Sequence, residues 1–140
     1  MPAIDLTKWA ESVNVALEEG TPCLLISADK EGHPDVAFKG SMMVLDGDHL
    51  AWWERSRAEQ ILQVEENQHV AVLYRNTQRS LLLRFYGDAT IYKDGPIRQQ
   101  IMDRTIQAEL DKDPERLGFG VALRVDRVRL QGKTFMEREA

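Results

Sequence analysis

Short runs of alternating apolar and polar residues, separated by turn residues, constrain the fold of this chain most strongly. Such alternation is typical of β-strands with one buried face, because successive side chains of a strand point to opposite sides of the sheet. Glycine, proline, aspartate and asparagine punctuate the runs, as they do in antiparallel hairpins. Six strands are predicted in this way, at the runs CLLISAD, DVAFKGSMMVL, HLAWWE, HVAVLYRN, LLLRFYGDATIYK and VALRVDRVRL.

Three helices are predicted outside the sheet, over residues 6–19, 57–66 and 94–113. In the second of them, Ile61 and Leu62 are expected to face inward, with Val64 as a third candidate. Strands and helices do not alternate regularly, which argues against a parallel, doubly wound sheet. The first three strands are expected to form a meander, and the whole pattern predicts a closed or half-closed antiparallel barrel.

Two irregularities are expected within the long strands. Gly87 lies in the middle of a long run, where glycine often marks a bend or a bulge. The apolar phase of the last run slips near Asp126, and this slip is typical of a second bulge.

Length and charge limit the classes of function. The chain has 140 residues, enough for a single domain spanning 1–140, and one cysteine, which fits a reducing cytoplasm. A net charge of −5 argues against a nucleic-acid partner, and no apolar run is long enough to suggest a membrane span. The three histidines do not show metal-ligand spacing, so we expect no metal site. Residues 1–70 hold 5 basic and 13 acidic side chains, whereas residues 71–140 hold 13 and 10.

Two of those five basic residues lie in the stretch WWERSRAEQ. Ser56 followed by Glu59 is a capping box, so Ser56 is the predicted N-cap of the second helix. Arg57 would then oppose the helix dipole, unless an anion lies between its guanidinium group and the free backbone N–H groups. A phosphate group would satisfy this arrangement. The alternative is that Arg55 and Arg57 are solvated surface residues, and the spacing does not decide between the two.

The stretches FKGSMM and WW provide the other candidate residues. Lys39 and Ser41 are expected on one face of a strand, with Gly40 between them where a group approaches the backbone closely. Trp52 and Trp53 point to opposite faces of their strand, so one should be in the core and the other against a ring or a partner chain. For FKGSMM, the alternative is that Lys39 is an exposed lysine on an edge strand, beside a bend of small residues. For WW, the alternative is that one tryptophan is in the core and the other is partly exposed. A Ser-His-Asp or Cys-His set is absent, so we name no catalytic residue.

The order of GHPDVAFKGSMMV, DHLAWWERSRAEQILQVEENQHVAVLYRN and LRFYGDATIY resembles the pyridoxamine 5′-phosphate oxidase-like family, the flavin-binding split barrels. The resemblance implies a mainly β fold, a six-stranded antiparallel split β-barrel of Greek-key type with three flanking helices. It implies that Ser56 and Arg57 bind the phosphate of FMN and that Lys39, Gly40 and Ser41 line the phosphate and ribityl chain. Trp52 and Trp53 would flank the flavin. It further implies a homodimer with FMN in a groove between subunits.

The resemblance leaves three functions open. The first is an FMN-dependent oxidoreductase acting on a small molecule, in which the flavin supplies the redox chemistry. The second is a reductase that uses the deazaflavin F420, and the third is a non-catalytic flavin-binding protein. The homodimer has independent support in the sequence, because Met42, Met43, Trp52 and Trp53 put apolar groups on both faces of one region. We expect one face to be core and the other to be covered by a partner.

Overall fold

The computed structural model describes residues 2–55 and 59–139. Within them, eight antiparallel strands form one curled sheet. The strands are β1 Cys23–Ala28, β2 Pro34–Lys39, β3 Met43–Val44, β4 His49–Glu54, β5 His69–Asn76, β6 Leu81–Tyr92, β7 Phe119–Leu130 and β8 Lys133–Glu137.

The order of the strands produces a split barrel. Neighbouring strands follow the order β2-β1-β5-β6-β7-β4-β3, and β8 pairs with β7. The two ends of this path, β2 and β3, are consecutive in the chain, so the sheet must curl until its edges meet. Where the edges meet, the Lys39 side chain contacts Glu54 and the Ser41 side chain contacts Trp53. The backbones of β2 and β4 do not pair there as neighbouring strands. We call this line of contact the seam. The predicted antiparallel split barrel is confirmed.

The predicted number of strands, six, is wrong because one run was divided and another was missed. DVAFKGSMMVL forms two strands that lie at opposite edges of the sheet, because the chain turns at Gly40 and Ser41. The predicted meander is therefore broken between β2 and β3. β8 follows a tight turn in which Gln131 and Gly132 both have positive φ, of 54° and 93°, as a two-residue hairpin loop requires.

The first predicted helix is shorter than expected. A 3₁₀ turn, Leu6–Trp9, leads into α1, Ala10–Asn14, and the chain then continues as turns. Gly20 ends these turns with a φ of 77°, a conformation that glycine adopts without steric cost. The segment predicted as one helix is therefore only partly helical, and it ends at this glycine.

The other two predicted helices lie beside the sheet. α2 spans Glu59–Glu66, while the third prediction is divided into α3, Gly95–Arg104, and α4, Gln107–Leu110. Ile61 is buried as predicted, but Leu62 is 56% exposed and the prediction for it was wrong. No helix among the described parts of the chain is both long and apolar enough to cross a membrane.

Two separate apolar clusters cover the two faces of β4. Trp52 is fully buried in the larger cluster inside the barrel. Trp53 is 2% exposed and packs on the other face with Met43 and with Ile101 of α3. The chain itself therefore covers both faces, so the expectation that a partner chain must cover one of them was wrong. The physical reason is α3, whose packing against β4 was not foreseen.

The two expected bulges are one and the same irregularity. Tyr86 pairs with Arg127, whereas Gly87 pairs with Val125, which leaves Asp126 as the extra residue of β7. Arg124 closely approaches the backbone at this point: a Cβ atom on Gly87 would lie 1.9 Å from the Arg124 carbonyl oxygen. The bulge bends β6 and β7 together, and only glycine leaves room for it.

We expect Gly87→Ala to destabilise the fold severely. The added Cβ would overlap the Arg124 carbonyl oxygen, and relieving such overlap in packed structure costs ~1–3 kcal/mol or more. Urea unfolding measures the loss. Gly47→Ala is the matched control, because nothing lies within 4 Å of its would-be Cβ and its φ is not positive. Equal free energies of unfolding for the two variants would contradict the role assigned to Gly87.

Candidate cofactor site

A pocket of about 460 Å³ opens at the seam. Its walls come from β2, the turn at Gly40 and Ser41, the end of β4, the first turn of α2, and Glu109 of α4. The volume is within the range of sites that hold small molecules and cofactors. Carboxylates and cations both line it, so the pocket is suited to a polar ligand.

The buried side chain of Glu54 holds one wall of this pocket together. Its carboxylate lies 2.9 Å and 3.0 Å from the Lys39 ammonium nitrogen, and the two side chains are only 4% and 11% exposed. Trp52 Nε1 donates to the same carboxylate at 3.0 Å. Buried charges require such partners. The ammonium group of Lys39 is thus already paired within the chain, and a ligand phosphate would have to share it with Glu54.

Ser41 and Gly40 shape the other side of the seam. The Ser41 hydroxyl accepts from the Trp53 backbone N–H at 2.9 Å and donates to the Trp53 carbonyl oxygen at 3.1 Å. It thereby satisfies a stretch of β4 that has no neighbouring strand on this side. At Gly40, a Cβ atom would lie only 2.8 Å from Glu109 Oε1, so a carboxylate lies almost directly on the backbone.

The segment after α4 is fastened to β4 by a buried carboxylate. Asp113 accepts hydrogen bonds from Trp53 Nε1 and from the backbone N–H groups of Leu117 and Gly118, at 2.9–3.0 Å. Burial raises the pKa of Asp113, but these three hydrogen bonds and the nearby charge of Arg116 outweigh it, and the net pKa is lowered. Trp53 is therefore held in position at both its backbone and its indole ring.

The structure brings together most of the site residues predicted from the sequence. Lys39, Gly40, Ser41 and Trp53 all line the pocket, although Ser41 lies in a turn rather than on the predicted strand face. Trp52 does not line it and reaches it only through Glu54. The remaining two predicted residues, Ser56 and Arg57, lie outside the described residues.

Sequence reasoning missed Glu54, Gln60 and Glu109. Glu54 adjoins the quoted tryptophans, and its position two residues from Trp52 on the same strand face was an available signal. Glu109 is distant in sequence and reaches the pocket only because α3 and α4 fold back on β4. No pattern within the sequence predicted that contact.

The pocket contains polar groups that a cofactor could satisfy. Gln60 Nε2 donates to the Leu25 carbonyl oxygen, but Gln60 Oε1 is buried and has no hydrogen-bond partner within the part of the chain that the structure describes. Buried acceptors are normally satisfied, so this oxygen fits a hydroxyl or N–H donor from a ligand. Arg55 adds a positive charge to the lining, close in sequence to the start of α2. Donors and acceptors of these kinds fit a phosphorylated polyol such as the side chain of FMN.

Cys23 and the three histidines, all of which the structure describes, lie outside this pocket. Burial raises the pKa of the Cys23 thiol to about 12, so it is not a thiolate at neutral pH. Each histidine pairs with an aspartate near it, His33 with Asp29, His49 with Asp46 and Asp48, and His69 with Asp88. These pairs are largely exposed and outside the pocket.

An antiparallel split barrel with a polar pocket at its seam is the class that fold and site define. The sequence profile of the pyridoxamine 5′-phosphate oxidase family matches residues 10–133. The chain therefore belongs to this family. No curated protein matches the chain.

Solved structures with the same fold include proteins of differing description. A protein from Lactobacillus delbrueckii, provisionally named a pyridoxamine 5′-phosphate oxidase, is 24% identical, with a TM-score of 0.66 over 83% of this chain and 89% of that one. An FMN-binding protein from Syntrophomonas wolfei is 12% identical, with a TM-score of 0.68 over 89% and 87%. An F420 reductase is 19% identical, with a TM-score of 0.60 over 85% and 94%. At these identities the likeness establishes the fold.

We expect Asp113→Asn to destabilise the protein by ~1–3 kcal/mol at pH 7, because the amide cannot accept all three hydrogen bonds. The lowered pKa of Asp113 means that its stabilisation is present above the ordinary carboxyl pKa, 3.8, and is lost as the pH falls through the folded-state value. The difference between the wild type and the variant should therefore shrink from pH 4 downward. Urea unfolding at pH 7 and between pH 4 and 2 measures it, with the exposed Asp111→Asn as control. A difference independent of pH would contradict this assignment.

Proposed function

We propose that this protein binds FMN at the seam and acts as a flavin-dependent oxidoreductase on a small molecule. The observation that carries the proposal is the pocket at the split of the barrel, where Gln60 Oε1 is buried without a donor among the described residues and Arg55 supplies positive charge. Membership of the pyridoxamine 5′-phosphate oxidase family supports the same ligand. When bound, FMN would supply hydride or single-electron transfer. The residues of the chain bind and orient it.

The phosphate of FMN is assigned to the beginning of α2. Ser56 and Arg57 are the proposed ligands, together with backbone N–H groups and the positive end of the helix dipole. Arg55, a described lining residue, is close enough in sequence to add a second guanidinium group. Lys39, Gly40, Ser41 and Trp53 are assigned to the remainder of the cofactor. In this arrangement the Lys39 ammonium group attracts the cofactor electrostatically while it remains paired with Glu54.

The absorption spectrum and mass of the molecule that copurifies with the protein test the proposal directly. FMN in the preparation, and tighter binding of FMN than of riboflavin or FAD in calorimetric titrations, are the expected results. Because the structure of an F420 reductase has the same fold, the deazaflavin F420 is the second candidate cofactor. Its absorption spectrum differs from that of FMN. A flavin that NADPH or NADH cannot reduce in the protein would favour a non-catalytic flavin-binding function instead.

We expect Arg57→Ala to weaken FMN binding by about one to two orders of magnitude, because a charge-assisted contact to phosphate contributes ~1.5–3 kcal/mol. Riboflavin binding should be unchanged, since riboflavin has no phosphate. Arg55→Ala is the comparison, with a smaller expected loss. Calorimetry with both ligands separates these effects. An unchanged FMN affinity together with a destabilised apo protein would make Arg57 a structural residue.

We further propose a homodimer formed through the outer face of the sheet. Two rows of directly opposed residues cross five strands on this face, and each begins with an exposed apolar side chain and ends with arginine. The rows are Val36, Ile26, Ala71, Tyr86 and Arg127, and Phe38, Leu24, Leu73, Arg84 and Arg129.

Several features of this face support a partner. Val36 and Phe38 are neighbours on one face of β2, and they are 56% and 66% exposed. Exposing two neighbouring apolar side chains to water is unfavourable. Arg84 Nη1 is buried without a hydrogen-bond partner among the described residues, and Arg84 lies opposite Arg129. Like charges opposite each other in a sheet repel, so acceptors from another chain would stabilise them. Phe38 also lines the pocket, and a dimer through this face would place the cofactor at the subunit boundary.

We expect Val36→Glu to shift the protein toward the monomer, because it buries an unpaired charge in the proposed interface. Sedimentation equilibrium at micromolar concentration, with FMN present, measures the change. Leu62→Glu is the control, because Leu62 is equally exposed, at 56%, but lies on α2. A dimer that tolerates Val36→Glu as well as Leu62→Glu would place the interface elsewhere.

A further inference from the structure

Glu109 is a buried carboxylate in the lining of the pocket, and it forms one ion pair with the residues that the structure describes. It is 5% exposed, and its Oε2 lies 3.1 Å from the Lys112 ammonium nitrogen. Lys112 is itself half exposed, so it neutralises the carboxylate only weakly. Oε1 has no hydrogen-bond donor within the described ranges. A carboxylate can accept several hydrogen bonds, so Oε1 can accept a further one from a ligand in the pocket that Glu109 lines.

The position of this carboxylate is fixed by its surroundings. Oε1 lies closest to Gly40, where a Cβ atom would be 2.8 Å away, and Gly40 precedes the seam contacts of Ser41 with Trp53. The chain after Glu109 is tied to β4 by the hydrogen bonds of Asp113. Glu109 is therefore a rigidly placed acceptor at the Gly40 end of the pocket, and a rigid acceptor binds a donor at little cost in entropy.

Described carboxylates occur along the whole pocket, because Asp35 and Glu59 line it as well as Glu54 and Glu109. Lys39 is paired with Glu54, and the other lining cation, Arg55, follows the end of β4 toward α2. The Gly40 end has the carboxylate of Glu109 instead. A phosphate group would be repelled there, whereas a hydroxyl group would find an acceptor.

We infer that Glu109 is a specificity-determining residue that accepts a hydrogen bond from a hydroxyl group of the bound ligand. The inference rests on the proposed function, in which the ligand is FMN with its phosphate at the beginning of α2. The hydroxyl groups then belong to the ribityl chain, which lies between the phosphate and the ring. At its own position in the pocket, Glu109 favours a hydroxyl group of the polyol over the anionic end of the ligand.

Three flavins distinguish this role from others: FMN, riboflavin, which lacks the phosphate, and lumiflavin, which lacks the ribityl chain. We expect Glu109→Ala to weaken FMN and riboflavin about tenfold each and to leave lumiflavin unchanged within twofold. Glu109→Gln keeps one acceptor oxygen, so its loss should be smaller. Asp111→Ala is the control, because Asp111 is exposed on the same segment and does not line the pocket, and its affinities for all three flavins should be within twofold of the wild type. Calorimetry measures the affinities, and thermal unfolding of each apo variant shows whether it is folded.

Each other result counts against the inference in a different way. Unchanged riboflavin affinity in both Glu109 variants would overturn it. Tighter FMN binding with unchanged riboflavin binding would mean that the carboxylate only repels the phosphate. An equal loss for lumiflavin would mean that Glu109 shapes the pocket around the ring. If Glu109→Ala fails to fold, Glu109→Gln alone decides. A wild-type protein that binds none of the three flavins would contradict the proposed function itself.

Discussion

The ion pair between Lys39 and Glu54 is the contact on which both the fold and the pocket depend. It joins the end of β2 to the end of β4, two strands that are not hydrogen-bonded to each other. A buried pair of this kind costs desolvation, and the indole N–H of Trp52 offsets part of that cost. The curl of the sheet brings the two charges together, and their attraction holds the curl. The pocket opens where these edges part.

This arrangement separates the tasks of the two tryptophans. Trp52 faces the barrel interior, and its indole N–H donates a hydrogen bond to the carboxylate of Glu54. Trp53 faces α3 and α4 and supports Asp113, which holds the segment that carries Glu109. Adjacent residues of one strand thus stabilise two opposite walls of the same pocket, because strand side chains alternate between faces. Arg98 Cζ lies 4.8 Å from the Trp53 ring and adds a cation–π contact to the second wall.

The sequence allowed the antiparallel barrel, the bulge and much of one pocket wall to be predicted, because alternation and turn chemistry are local signals. The break at Gly40 was not predictable in the same way, since apolar residues on both sides continue the alternation through the turn. β8 was missed because KTFME has little apolar alternation of its own and is stabilised by pairing with β7. Glu109 required knowledge of a contact between segments about 70 residues apart, which periodicity does not contain. The roles of Ser56 and Arg57 stay predictions.

The burial of the tryptophans has a consequence for how this protein can be observed. All three indole rings are almost wholly shielded from water, with Trp9, Trp52 and Trp53 at 4%, 0% and 2% exposure. Their emission in the native state should therefore lie at short wavelengths and move to longer ones when the chain unfolds. Trp53 is also part of the pocket wall. A bound flavin absorbs in the range in which indole emits, so a single optical signal would report unfolding by its wavelength and occupancy of the pocket by its intensity.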